Sequence, residues 1–397
     1  MKRRLFSTLT LAAIVAAGAT LAGCSKQQAP AADSGSSAPA STANADVIKI
    51  GIFQPLTGAN GAGGTEEYEG AKLAHKLYPT VLGKKVELVV VDNKSDKVEA
   101  ANAATVLTQK EKVSAVIGSW GSSLSMAGGP IFAEAKIPAV AVSATNPNVT
   151  KGNEYYFRVC FLDSFQGTAG ASYAFDTLKA KKVAIIREVS NDYSVGLAKF
   201  FTDHFVKLTG DANAVVATAD YNTGDQDFTA QLTNIKKANP DVIFAPGNYT
   251  ESALIIKQAR ALGMNTPFIG TDTWDIDAFL QVGGEAVEGA VLSTFFANDV
   301  PINKTSEEFL KAYRDEYKKE PSAFVALGFD AYRVVLDAIT RAGSADPQKI
   351  RDALAQTKGF EGAAGEITIN ADRDADKPAV FKQVKGGKFT FLSTVKP

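Results

Sequence analysis

The chain has 397 residues, with 42 Lys and Arg against 43 Asp and Glu, and a formal net charge of −1. No basic excess exists to neutralise phosphates, so nucleic acid is not expected as a partner. Only two cysteines (Cys24 and Cys160) and two histidines (His75 and His204) are present, which leaves little for disulfide or thiolate–imidazole metal chemistry.

In chain order, Lys2, Arg3 and Arg4 precede an apolar stretch from Leu5 to Ala22. That is the pattern of a secretory signal peptide, here residues 1–23, and it is set aside in reasoning about the fold. Leu21-Ala22-Gly23-Cys24 resembles a bacterial lipoprotein cleavage box. The resemblance implies that Cys24 is lipidated and becomes the mature N-terminus, and several acyl chains make such an attachment stable. Residues 24–45 are rich in Ala, Ser, Gln and Pro without apolar periodicity, the composition of a disordered tether. With Cys24 so used, Cys160 has no partner. It lies in the apolar-aromatic run Tyr155 to Phe161 and is expected to be a buried small hydrophobe.

From residue 46 onward about 350 residues remain, enough for two ordinary domains. Strands are expected at Val47–Phe53, Val86–Val91, Val113–Ile117 and Ala139–Val142. Between them come a helix capped by Thr65 with Glu66 and Glu67 in its first turn, and helices over Lys97–Lys110 and Leu124–Ala135. The alternation restarts with a helix over Gln166–Leu178 and strands at Val183–Ile186, Val215–Thr218, Val242–Ala245 and Pro267–Ile269. Helices over Val195–Leu208, Phe228–Ala238 and Ser252–Leu262 separate them. After Val291–Phe295 come helices over Ser306–Lys318, Phe324–Ala342 and Pro347–Gln356. Antiparallel strands then follow at Glu366–Ile369 and Val380–Phe391, with Gly386-Gly387 as a hairpin turn. Continuous apolar strands between helices predict α/β folding, as two Rossmann-like lobes with parallel sheets.

Ligands of open α/β sheets bind beyond the carboxyl ends of strands. Those positions read "PLTGANGAGG", "DNKSD", "GSWGSS", "SATNP", "EVSNDYS", "PGNYTES" and "GTDTWD". They hold hydroxyls, amides, aromatics and acids, with almost no lysine, arginine or histidine. The glycines at 58–64 fail the dinucleotide fingerprint, since Glu66 stands where its third glycine belongs, and no phosphate loop follows. A serine hydrolase needs a base beside its nucleophile, and His75 and His204 fall mid-helix, where they are expected to face solvent. No enzyme, cofactor or metal is therefore expected. Ser122 and Ser123 open a helix whose N–H groups and dipole suit an anion, and Thr145 ends the neighbouring strand. Asp272 offers the opposite charge from the second lobe, with Asp275 expected as the cap of the next helix. A carboxylate at one wall and an ammonium at the other suits a zwitterionic α-amino acid. Ordinary caps and turn residues explain the same positions equally well.

The stretches "IKIGIFQPLTG", "KKVELVVVDNKSD", "AVIGSWGSS", "IPAVAVSATNP", "FQG", "NPDVIFAPGNYTESA" and "PFIGTDTWD" decide between these readings. Together, and in order from about residue 47 to the end, they resemble the branched-chain amino-acid-binding proteins of bacterial ABC importers. The resemblance implies a type I periplasmic-binding fold of two lobes joined by a three-crossover hinge, with 46–163 and 297–372 in one lobe and 164–296 and 373–397 in the other. It implies that Ser122 and Thr145 hold the ligand carboxylate, that Ser143 contributes backbone, that Tyr193 closes over the ligand and that Asp272 takes the ammonium. Phe324, Trp120 and Tyr249 are implied around the side-chain pocket. Three departures stand out: Ser95 and Gly121 replace a cysteine pair of some relatives, Gly61-Ala62-Gly63 lacks an aromatic and so predicts a roomier pocket, and Asn248 replaces an aromatic. The expected protein is an extracytoplasmic, membrane-anchored monomer that captures a small-molecule amino acid, branched-chain or otherwise apolar, for an ABC permease. A binder of an aromatic or other carboxylate, or a sensory ectodomain, are the alternatives.

Overall fold

Strand and helix alternate from the first described residue of the computed structural model, which describes residues 47–397. The expected signal peptide, tether and lipidated Cys24 lie outside the described residues. The first half runs β1 (Val47–Gln54), α1 (Gly61–Leu77), β2 (Thr80–Val81), β3 (Lys84–Asp92), α2 (Lys97–Thr105), β4 (Ala115–Ile117), α3 (Ser122–Ala135), β5 (Ala139–Ala141) and β6 (Tyr156–Arg158). The second runs α4 (Asp163–Ser172), β7 (Val183–Glu188), α5 (Asp192–Thr209), β8 (Val215–Tyr221), α6 (Thr229–Ala238), β9 (Val242–Phe244), α7 (Tyr249–Ala261), β10 (Phe268–Gly270), α8 (Asp277–Gly283) and β11 (Val291–Thr294). Then come α9 (Lys304–Tyr317), α10 (Ala323–Ala342), α11 (Pro347–Ala355), β12 (Phe360–Gly362), β13 (Gly365–Ile367), β14 (Ala379–Lys385) and β15 (Lys388–Val395).

Two large sheets result, in the orders β2-β3-β1-β4-β5-β6 and β15-β14-β11-β10-β9-β7-β8, beside a two-stranded β12-β13 ladder. Pairing from β3 through β6, and from β8 through β11, is parallel. The chain passes between the halves three times, after β6, after β11 and before β14, as a type I periplasmic-binding fold does. In each sheet the strand order reverses beside its first strand, between β1 and β4 and between β7 and β9. Such switch points leave a crevice at the carboxyl ends. The short central strands are wholly buried and apolar because helices cover both faces.

Helix α10 returns to the first half and packs on α1 through two glycines. A Cβ on Gly70 would lie 2.0 Å from Val325 O, and one on Gly328 would lie 2.0 Å from Glu67 O. The helices therefore touch backbone to backbone, which fixes Glu67 from behind. Asp96, Asn191, Asn303, Ser322 and Asp346 cap α2, α5, α9, α10 and α11 through their side chains.

Several local expectations are corrected. Helix α1 starts at Gly61, not at Thr65, whose hydroxyl instead bonds back to Gly61 O at 2.7 Å. Glu66 and Glu67 consequently leave the first turn. Helix α2 ends early and continues as a π turn over Val106–Lys110, while α4 begins at Asp163, ahead of Gln166, and ends in a π turn. The Glu366 segment pairs with β12 in its own ladder, and only β14 and β15 form the hairpin at Gly386-Gly387. His75 and His204 are partly buried rather than solvent-facing. His75 Nε2 bonds to Val86 O at 3.0 Å and His204 Nε2 to Ser172 Oγ at 3.2 Å. Cys160 is buried and, among the described residues, unbridged.

Candidate functional site

The carboxyl ends of β4, β5, β7, β9 and β10 converge on one cleft of about 610 Å³ of empty space, its open mouth included. Five of the expected residues line it: Trp120, Ser122, Ser143, Tyr193 and Asp272. Thr145, Tyr249 and Phe324 stand behind this wall. Thr145 is fully buried. Tyr249 and Phe324 support Trp120 edge-to-face, at 6.2 and 5.9 Å between ring centroids. A larger groove, lined by Glu66, Asp275, Lys319 and Lys382 among others, is walled by mixed charge.

The first half supplies the anion side. Gly121, at φ 87°, turns the chain into α3, and the first helical residues Ser122 and Ser123 face the cleft. Unpaired N–H groups there carry positive potential. The Ser122 hydroxyl accepts the Asn146 N–H at 3.2 Å, which leaves its proton to donate. The Thr145 hydroxyl closes no hydrogen bond at ordinary geometry and lies against the buried Asp163 carboxyl. Arg158, itself fully buried, holds this loop from behind through Ala144 O at 2.6 Å and Asn146 O at 3.0 Å, and pairs with Asp374 at 2.5 Å. Lys97 lines the cleft mouth. It is a basic residue that the strand-end reading did not include, brought there because α2 begins beside the same strand ends as α3.

The second half supplies a carboxyl. Asp272 follows β10 and is buried. Gln166 Nε2 and Tyr193 OH both donate to its Oδ1 at 2.7 Å, and among the described residues no side chain addresses Oδ2. Burial pushes the Asp272 carboxyl up to about 7 against the pull of those two hydrogen bonds. Asp275 is not the cap of α8. It forms a buried ion pair with Lys382 at 2.9 Å and accepts from Thr294 at 2.8 Å.

Three residues that shape the site escaped the sequence reading. Glu67, fully buried, accepts from Ser143 Oγ and, at 2.6 Å, from Gln54 Nε2, and burial raises its carboxyl to about 8. Gln54 also accepts the Trp120 N–H at 2.8 Å, so it fixes the backbone of the cleft wall. Gln166 orients Asp272. A signal for Glu67 existed: it shares the small-residue face of α1 with Gly63, Gly70, Ala71 and Ala74. The expectation of a roomier pocket at Gly61-Ala62-Gly63 is reversed. A Cβ on Gly63 would fall 2.5 Å from the Trp120 ring, so the indole already fills that space. Among the described residues no group of His, Cys, Asp and Glu is placed to share a metal ion.

Residues 47–388 match the family model described as "Periplasmic binding protein". A Leu/Ile/Val-binding protein homolog 1 of Brucella abortus is 29% identical over 400 residues, 99% of this chain and 100% of that one. Among solved structures, a leucine binding protein, LivK, of Thermotoga maritima is 44% identical with a TM-score of 0.86, covering 88% of this chain and 99% of that one. A branched-chain amino acid transporter substrate binding protein, LivJ, of Streptococcus pneumoniae, in complex with isoleucine, is 36% identical with a TM-score of 0.83, covering 88% and 100%.

Proposed function

This chain belongs to the periplasmic binding proteins, among the branched-chain amino-acid-binding members that serve ABC importers, and on that premise we propose that it captures an apolar α-amino acid. Isoleucine, leucine, valine and phenylalanine are the leading ligands. The observation that carries the reading is the pairing within one cleft of the α3 N-terminus with the buried Asp272 carboxyl. In this reading the ligand carboxylate rests on the α3 N–H groups and the Ser122 hydroxyl, with Thr145 in the layer behind them. The ammonium meets Asp272, whose Oδ1 is already held by Gln166 and Tyr193. Trp120, backed by Tyr249 and Phe324, forms the apolar wall, and Ser143 contributes its backbone beside Glu67. Nothing in this machinery changes the ligand; it holds one.

The lobes we propose comprise 46–163 with 297–372 and 164–296 with 373–397, and they close over the ligand by a hinge. The protein acts as an extracytoplasmic monomer, anchored through a lipid on Cys24, that hands its ligand to an ABC permease. Palmitate should label wild type but not Cys24→Ala, and equal labelling contradicts the anchor. A thermal-shift panel of the twenty amino acids with aromatic acids tests the ligand class. A ligand at a hundredfold excess over its Kd adds about 2.7 kcal/mol of stability. Stabilisation by apolar amino acids supports the reading, and stabilisation by aromatic acids alone replaces it.

A further inference from the structure

At the cleft mouth one residue of α5 makes several bonds to the first half. Asp192 Oδ2 accepts from Ser123 Oγ at 2.8 Å and from Lys97 Nζ at 2.9 Å. Its backbone N–H donates to Ser123 Oγ at 3.1 Å, and its carbonyl accepts from Asn146 Nδ2 at 3.0 Å. Lys97, Ser123 and Asn146 come from three separate segments of the first half, at the starts of α2 and α3 and in the loop after β5. Gly196, one turn along α5, admits the Asn146 amide: a Cβ there would lie 3.0 Å from Nδ2. Across the mouth, α7 is fastened more lightly, by Asn248 Nδ2 to Asn60 at 3.1 Å and Tyr249 OH to Ala59 O at 2.9 Å.

Asp192 does not line the cleft, whereas Tyr193, the next residue, lines it and donates to Asp272. The two neighbours therefore face different ways. Tyr193 addresses the ligand side, and Asp192 grips the opposite half. Some burial opposes ionisation of Asp192, but Lys97 and Ser123 overcome it and hold the carboxyl below its usual range. A lone exposed ion pair contributes little. Here four hydrogen bonds converge on one residue, and all of them require the halves to be together.

We propose that Asp192 is the closing latch of this binding protein, a positioning residue that sets ligand residence time without touching ligand. The proposal rests on the reading of the cleft as an amino-acid site closed by a hinge. A ligand leaves only through the open form, so weakening the closed form lowers apparent affinity by the fraction of closed state lost. That loss appears in koff rather than kon, as most effects on related complexes do.

Stopped-flow fluorescence tests this, with Trp120 in the cleft wall as reporter and isoleucine as ligand. Asp192→Ala should raise koff on the order of tenfold, the scale of one lost charge-assisted hydrogen-bonding group, with kon within about twofold. Sodium chloride should speed release from wild type and leave the variant unchanged, because the Lys97 pair is half-exposed and screened. The charge swap Lys97→Asp with Asp192→Lys should restore slow release. Small-angle scattering of the unliganded protein is the second readout, and Asp192→Ala should enlarge its radius of gyration. An unchanged koff, or a fall in kon alone, overturns the latch. Wild type that binds none of isoleucine, leucine, valine and phenylalanine overturns the ligand reading instead, and the scattering comparison then decides the latch, with equal radii against it.

Discussion

The indole of Trp120 occupies the volume that a side chain at residue 63 would fill, since a Cβ on Gly63 would lie 2.5 Å from both its Cε2 and Nε1. Sequence spacing gave no hint of this contact, because the two residues sit 57 positions apart, after different strands. It makes the cleft wall a matched pair. Gly63→Ala should cost about 1–3 kcal/mol by overpacking, and Trp120→Ala about 3–5 kcal/mol by leaving a cavity. The double variant should be more stable than the sum of the two losses, because the added methyl enters the vacated space. Urea unfolding of the four proteins checks this; simple additivity contradicts the contact.

Arg158 and Asp374 form a buried pair that ties the loop of Thr145 to the last crossover between the halves. Arg158→Met leaves Asp374 without its partner and should cost about 3–5 kcal/mol. Arg158→Met with Asp374→Leu should recover much of that stability. Ligand affinity should stay weakened in both, since Ala144 and Asn146 lose their common anchor. Chemical denaturation alongside calorimetry separates the two effects, and full recovery of affinity in the double variant contradicts the anchoring role.

The pH response follows from the raised carboxyls. Asp272 and Glu67 titrate near 3.8 and 4.5 when unperturbed, and near 7 and 8 in the fold, first because burial disfavours their charge. Between those limits the folded chain holds protons that the unfolded chain has released. Stability without ligand should therefore fall as pH rises from about 5 to about 8. Tyr193, Gln166 and Asp275 also face Asp272, and the charge of Asp272 raises Glu67 and Asp163 in turn. An ammonium favours the ionised Asp272, so binding at pH 6 should release protons and affinity should rise through pH 7. Calorimetry in two buffers of different ionisation enthalpy counts those protons. No net release contradicts an ammonium at Asp272.

What was legible in the sequence was what local pattern determines. Apolar runs such as Val113–Ile117 and Val242–Ala245 reveal strands wherever helices cover both faces, and the residues just past them reveal the cleft. What stayed hidden depends on partners far along the chain. Glu67 resembles a first-turn acid until α10 presses on its backbone and Gln54 and Ser143 take its oxygens. Asp275 looks like a cap until Lys382, from a strand more than 100 residues later, reaches it. Buried polar groups need partners, and spacing does not name them.

Isothermal titration of Asp272→Ala with the best amino acid from the panel tests the central claim most directly. Removing the carboxyl from a desolvated ammonium should cost ~2–5 kcal/mol, a loss in affinity from about thirtyfold to a few thousandfold. Asp272→Asn keeps the shape and an acceptor and should fall at the lower end of that range. Ser122→Ala should lose less, about tenfold at most, because the α3 N–H groups still hold the carboxylate. If Asp272→Ala binds within about threefold of wild type while Ser122→Ala fails to bind, the ligand is an acid without an amine and the account is contradicted.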